Sequence, residues 1–200
     1  RIIGDASRLA FADRGKYIAD SDFVDVPINK LIDKKYLKFR SNKLETKMKI
    51  PDIKPGSILD RETNSYIYAN SLELPSTTHI SIVDKYGNAL SMTSTIESSF
   101  GSRLMTNGGF LLNNELTDFS FQKERKGKRV ANNIEPNKRP RSSMAPTIIF
   151  KNDKPLFIIG SPGGSNIIGY VVNSIIGLVD WKLNVQQAAS IPHGINKFGT

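Results

Sequence analysis

Cysteine is absent from this 200-residue chain, which excludes disulfides, thiolate metal sites and a cysteine nucleophile together. Histidine is nearly absent: only His79 and His193 occur, too few for a His-rich zinc site. No apolar run is long enough to cross a bilayer. The most apolar stretch, Ile167 to Trp181, is interrupted by Asn173 and Ser174 and falls short of the ~20 residues that a spanning helix needs. The chain opens Arg1-Ile2-Ile3, with neither an initiator methionine nor a charged-then-apolar leader, so it reads as a trimmed chain or an internal fragment. Its N-terminus says nothing of compartment.

What is present suffices for a core. Hydrophobic residues make up 38% of the chain, with ten Phe and six Tyr, which excludes wholesale disorder. The formal net charge is +9. Much of that excess is local: residues 123–141 carry eight basic side chains against Glu124 and Glu135. A local excess argues against a generally basic binding surface.

Along the chain, Ile3, Ala6, Leu9, Ala10 and Tyr17 recur at roughly helical spacing and predict an amphipathic helix ending before Asp20-Ser21-Asp22. A second, more basic helix is expected over about 28–42. From Lys49 to Pro75 the apolar pattern fades among prolines and Gly56, a connector with no core of its own. Then Thr78 to Asp84 alternates like a strand, Lys85 to Asn88 reads as a turn, and Ala89 to Ile96 as the returning strand. Gly109 to Leu112 is a short strand candidate, and 147–150 with 156–159 a second hairpin. After Gly160-Ser161-Pro162-Gly163-Gly164 a buried helix is expected from Ser165 to about Val179. Another begins near Asn184, with Gln187 placed for a capping box. Hairpins followed by buried helices predict an α+β core.

Four stretches could carry chemistry. Ser76-Thr77-Thr78-His79 lies where the connector meets a strand, and ordinary strand-entry hydroxyls look the same. A Thr that became the first residue of a new chain would hold its own base, because an α-amino group of pKa roughly 7.7–8.0 can take the hydroxyl proton. Such chemistry needs neither Cys nor His. Gly160 to Ser165 links an apolar strand to an apolar helix and could aim N–H groups at an oxyanion, or be only a tight turn. It lacks the Gly-Lys-Ser/Thr of a phosphate loop. Asn113 to Asp118 gathers acids and amides suited to an ammonium ligand, as many surface loops do. Pro136 to Pro146 mixes cations with paired hydroxyls suited to a carboxylate or phosphate. The basic run before it, Lys123 to Arg129, reads as a solvated loop without the interleaved aromatics of single-strand nucleic-acid grooves.

Together these stretches resemble the γ-glutamyltransferase family of N-terminal-nucleophile hydrolases. The likeness is carried by Thr77-Thr78-His79-Ile80-Ser81-Ile82-Val83-Asp84, by Ser94 to Ser102, by Leu111 to Ser120, by Asn137 to Thr147 and by Gly160 to Ser165. Upstream, Ala6 to Arg14 is similar to a helix late in the family's large subunit. The resemblance implies a four-layer αββα sandwich of which this chain holds part. Residues 1–76 would end the large subunit and 77–200 begin the small one. It implies autocleavage of the Ser76–Thr77 bond, Thr77 as nucleophile, and Thr95 as its hydroxyl partner. Gly163 and Gly164 would form the oxyanion hole. Glu115, Asp118 and Glu97 would hold the substrate α-ammonium, Glu97 standing where many members have Asn. Ser142 and Ser143 would hold the α-carboxylate. Glutathione or another γ-glutamyl compound is the implied substrate, with water or an amino acid as acceptor and no metal or organic cofactor. The remaining large- and small-subunit segments are implied partners, and the implied location is periplasmic or secreted. A large-subunit Arg that completes carboxylate binding is not among these residues, so the isolated 200 residues are expected to be inactive.

Two other readings compete. A sibling acylase or poly-γ-glutamate transferase shares nucleophile and oxyanion loop; Glu115, Asp118, Ser142 and Ser143 favour a free glutamyl head group instead. A non-catalytic protein using the basic 123–141 loop on an acidic partner would show steep salt dependence.

Overall fold

The computed structural model describes residues 1–44, 50–58, 65–69, 71, 74 and 76–198. In chain order the elements are α1 (Ile2–Tyr17), α2 (Ile28–Leu31), α3 (Lys34–Ser41), β1 (Thr77–Val83), β2 (Ala89–Thr95), β3 (Glu124–Arg125), β4 (Lys128–Arg129), β5 (Thr147–Lys151), β6 (Lys154–Ile159), α4 (Ile167–Val179) and α5 (Val185–Ser190). They fall into two compact units. Arg1–Leu72, Leu116–Arg141 and Asn196–Thr200 make the first; Glu73–Glu115 and Ser142–Ile195 make the second.

In the first unit α1 forms where the spacing predicts it, but its buried face keeps only Leu9 and Tyr17 of the predicted stripe. Asp5 and Asp13 are buried beside Leu9, Ala12 and Tyr17, while Ala10 is exposed. Partners distant in sequence explain the exchange. Asp13 accepts hydrogen bonds from Arg40 at 3.0 Å, the Tyr36 hydroxyl at 2.9 Å and the Gly56 N–H at 2.6 Å. Hydrogen bonds from three donors offset the cost of taking the carboxyl group out of water. Gly56 fits because a Cβ there would stand 2.1 Å from the Tyr36 hydroxyl. Burial and the neighbouring Asp13 carboxylate hold the Tyr36 phenol well above its ordinary range.

The basic helical stretch is two helices, α2 and α3, because Asp33 interrupts it as the N-cap of α3, accepting from Lys35 N and Tyr36 N. The connector 49–75 is partly core. Ile50 and Ile53 pack with Leu9 and Ala12, and Tyr66 joins Val24 and Ala131. Linker-like composition hides this, since a sparse isoleucine needs only one apolar helix face to bury against. Residues 49, 59–64, 70, 72–73 and 75 of the connector lie outside the described residues.

The basic run Lys123 to Arg129 is also no simple loop. β3 and β4 pair antiparallel through Lys126 and Gly127, whose φ values of 52° and 70° belong to a two-residue hairpin turn.

In the second unit β1 and β2 form an antiparallel hairpin with Thr77 opposite Thr95, His79 opposite Thr93 and Ser81 opposite Ser91. Asp84 closes its turn, accepting from the N–H groups of Tyr86 and Asn88. One face is polar, and it is the face aimed inward. Ser91 and Ser81 hydroxyls donate to the Ile159 and Ile158 carbonyls of β6 at 3.1 and 3.4 Å. The opposite face carries Ile80, Ile82, Leu90 and Met92, all exposed.

The second hairpin, β5–β6, packs Ile149, Phe157 and Ile159 against Ile167, Val171 and Leu178 of α4 and Ala188 of α5. Each of the larger side chains among them contributes about 1.5–3 kcal/mol when fully buried. The capping box at Asn184 forms as expected, with Asn184 and Gln187 exchanging side-chain-to-backbone bonds. Gly109 to Leu112 forms no strand; only Leu111 bridges to Met105. Among the described residues no helix is long and apolar enough to cross a membrane.

Candidate active site

Thr77 is the first residue of β1 and Thr95 the last of β2, so hairpin register alone sets them face to face. The Thr77 hydroxyl donates to Thr95 Oγ1 at 3.3 Å. The Thr95 hydroxyl donates to the Ser76 carbonyl, also at 3.3 Å, and accepts from the Glu97 N–H at 3.0 Å. A hydroxyl offers one proton and two lone pairs, and all three are used here. Thr95 thus joins the candidate nucleophile to the carbonyl of the bond it would cut.

Glu97 follows at a corner with φ 71°, a left-handed conformation uncommon outside glycine. It is 3% exposed, and its Oε1 accepts from the Leu74 N–H at 2.6 Å. The corner is fixed from the far side as well. The Asn114 N–H donates to the Ile96 carbonyl at 3.3 Å, and Asn114 Oδ1 accepts from the Ser98 N–H at 3.0 Å.

The glycine turn sits between β6 and α4. Gly163 has φ 137° and Gly164 φ 55°, and a Cβ on Gly163 would lie 2.6 Å from the Tyr170 ring. Both conformation and space restrict this turn to glycine. Its first residue, Gly160, lies against His79: a Cβ there would come within 2.0 Å of the imidazole. His79 Nδ1 lies 2.8 Å from Thr93 Oγ1 and Nε2 3.0 Å from Ser81 Oγ. Burial lowers its pKa, which favours a neutral ring. One polar hairpin face therefore carries the candidate nucleophile Thr77 and, two residues along the same strand, the His79 ring that meets Gly160.

Of the substrate residues implied by the resemblance, Glu115 opens a short 3₁₀ turn reaching Asp118, and its N–H donates to Asn113 Oδ1. Ser143 is buried, whereas Ser142 is exposed and its hydroxyl accepts from the Met144 N–H. Asp118 is 5% exposed and belongs to the first unit, where its carbonyl accepts from Asn132 Nδ2. Hydrogen bonds join Ser76, Thr77, Thr95 and Glu97 directly. Glu115, Ser142, Ser143, Gly163 and Gly164 share their unit.

Sequence reasoning missed the work of His79 and the Glu97–Leu74 bond. Two-residue spacing from Thr77 could have flagged His79; nothing local announces a bond between residues 23 positions apart. It also overlooked how far the basic stretch is internally spent. Lys138 is 6% exposed and donates to the Ala131 carbonyl and Glu135; Arg139 meets Asp20 and Asp22; Arg129 pairs with Glu135. Cations bound this way offer little to an acidic partner.

The sequence profile of γ-glutamyltranspeptidases matches residues 1–199. This chain belongs to that family. The glutathione hydrolase proenzyme of Escherichia coli K12 is 38% identical over 200 residues, covering 96% of this chain and 33% of that protein. That of Bacillus subtilis 168 is 36% identical over 199 residues, with 96% and 33% covered. The chain therefore spans about a third of the length of these curated relatives. Among solved structures, a point mutant of the Helicobacter pylori γ-glutamyltranspeptidase is 48% identical with TM-score 0.53, over 58% of this chain and 66% of that one. Cephalosporin acylase from Bacillus halodurans superposes over 97% of this chain and 32% of its own, with TM-score 0.77 at 22% identity. The γ-glutamyltranspeptidase fold seen here is accordingly α+β, part of the N-terminal-nucleophile hydrolase architecture.

Proposed function

We propose that this chain is the section of a γ-glutamyltransferase that spans its self-processing junction, residues 1–76 ending the large subunit and residues 77–200 beginning the small one. The observation that carries this reading is the Thr95 hydroxyl bonded to both Thr77 Oγ1 and the Ser76 carbonyl. In processing, Thr77 Oγ attacks the Ser76 carbonyl carbon. The C–N bond breaks as the ester forms, and the hydroxyl proton ends on the Thr77 nitrogen. Water then hydrolyses the ester, leaving a Ser76 carboxylate and a free Thr77 amine. Thr95 polarises the carbonyl in the first step.

The freed amine, with a pKa of roughly 7.7–8.0, can then act as base for its own hydroxyl. Thr77 Oγ attacks the γ-amide of a γ-glutamyl compound such as glutathione, and the amine half leaves with the proton. Water or an amino-acid amine resolves the γ-glutamyl ester, giving hydrolysis or transfer. Gly163 and Gly164 suit the oxyanion, Glu97, Glu115 and Asp118 the α-ammonium, and Ser142 and Ser143 the α-carboxylate. The buried carboxyl of Asp118 and the buried Ser143 support that assignment. The acid–base chemistry needs only one amine and one hydroxyl, and the remaining subunit segments complete the site. A periplasmic or secreted location rests on the resemblance. The test is mass spectrometry of the full-length protein: a new N-terminus at Thr77, lost in Thr77→Ala, is expected. Cutting of Thr77→Ala between the same residues would overturn self-processing.

A further inference from the structure

The resemblance gives Glu97 one task, contact with a substrate ammonium. The geometry of the uncut chain gives its carboxylate a different partner. Leu74 lies two residues before Ser76, and its N–H points its hydrogen bond at Glu97 Oε1, 2.6 Å away. Glu97 is buried, and its left-handed backbone is braced by the Asn114 contacts on both sides of it. Its own N–H holds Thr95 Oγ1 at 3.0 Å. One residue thus grips both participants in the cut: through its backbone the hydroxyl that polarises the Ser76 carbonyl, and through its side chain the segment that delivers that carbonyl. Hydrogen bonds from a backbone N–H to a carboxylate are among the stronger ones, and burial shields this one from competing water.

We propose that the Glu97 carboxylate is a positioning residue for self-cleavage, holding the connector at Leu74 so that the Ser76 carbonyl stays on the Thr95 hydroxyl. Scission frees the connector from β1, and the same carboxylate passes from the Leu74 N–H to the incoming substrate cation. The proposal rests on the reading that the Ser76–Thr77 bond is the one cut. An amide in place of the acid could still accept from Leu74 but would bring no charge to an ammonium. The two tasks therefore separate chemically, the acceptor atom serving processing and the charge serving substrate.

The experiment follows processing of the full-length protein from its freshly purified uncut form, as the half-time for appearance of the Thr77 N-terminus. Glu97→Ala is expected to lengthen that half-time at least tenfold, and Glu97→Gln by less than threefold. The processed Glu97→Gln enzyme should still show a raised KM for a γ-glutamyl anilide. Cutting of Glu97→Ala at the parental rate, or equal slowing by Gln and Ala, overturns the proposal. Leu74→Pro removes the donor and leaves Glu97 in place, so it covers the case in which Glu97→Ala does not fold. Slowing comparable to that expected of Glu97→Ala supports the connector bond, and an unchanged rate overturns it. Thr77→Ala separates the two layers: if it is still cut between Ser76 and Thr77, the underlying reading fails. If it stays intact while Glu97→Ala cuts normally, only the role of Glu97 is lost.

Discussion

Arg139 reaches Asp20 across 119 positions of sequence, donating from Nε at 3.1 Å, from Nη2 at 2.6 Å and from its backbone N–H at 2.8 Å. The same guanidinium extends to Asp22. A side chain that composition assigns to a basic run is here a tie between the segment that follows α1 and the segment that follows β4.

That tie predicts acid sensitivity. The Arg139 side chain, first, and its backbone N–H hold the Asp20 carboxyl well below its ordinary value of 3.8. A carboxyl depressed in the folded state binds fewer protons folded than unfolded, so stability is present above the unfolded pKa and is lost as pH falls through the window below about 4. Asp20→Asn should lower the melting temperature at pH 7 and flatten its fall between pH 4 and 2. An unaltered acid limb would show that the pair contributes nothing.

Thr95 should be indispensable for its hydroxyl rather than its shape. Thr95→Val keeps the volume and removes both the donor to the Ser76 carbonyl and the acceptor for Thr77. Loss of one such donor costs on the order of 10²-fold in rate, and processing measured by gel densitometry should slow by at least that much. Thr95→Ser should process within a few-fold of the parent.

Gly160 and His79 make a steric pair. Gly160→Ala would place a methyl carbon 2.0 Å from the imidazole, and overpacking of this kind costs about 1–3 kcal/mol. Chemical denaturation should read that loss, and His79→Ala should recover part of it by vacating the space. The ring also carries a pH signature. Because burial depresses the folded pKa of His79 below 6.5, the unfolded chain binds the extra proton first, and stability falls as pH drops from about 6.5 toward the folded value. His79→Gln should remove that slope.

Arg40 and Asp13 test the buried network of the first unit. Their charged atoms meet at 3.0 Å with both side chains largely buried. Removing one partner of such a pair costs about 3–5 kcal/mol because the other charge is left without compensation. Arg40→Met should therefore destabilise strongly in urea titration, and Arg40→Met with Asp13→Leu should recover much of the loss.

Asp118→Ala in the processed full-length enzyme should raise KM for a γ-glutamyl anilide while the melting temperature changes little. A buried ammonium deprived of its charged partner loses about 3–5 kcal/mol of binding. An unchanged KM would remove Asp118 from the substrate site.

Much of this protein is legible in its sequence because much of it is local. The β1–β2 hairpin follows from alternation and from Asp84 to Asn88 as its turn, and α5 from the Asn184–Gln187 box. The glycines at 163 and 164 stand where backbone conformation tolerates little else. The ordered motifs likewise identified the family, since their residues lie within short windows. Tertiary structure alone decided the rest. It buried Asp13 instead of Ala10, because a helix face is chosen by what packs on it and not by its own periodicity. It drew Ile50 and Ile53 out of a linker-like segment into the core, and spent Lys138 and Arg139 on internal acids and carbonyls. It put Glu97 on Leu74. Most of these contacts join residues more than twenty positions apart, and the energy that selects them, desolvation offset by a particular partner, does not exist until the chain has folded.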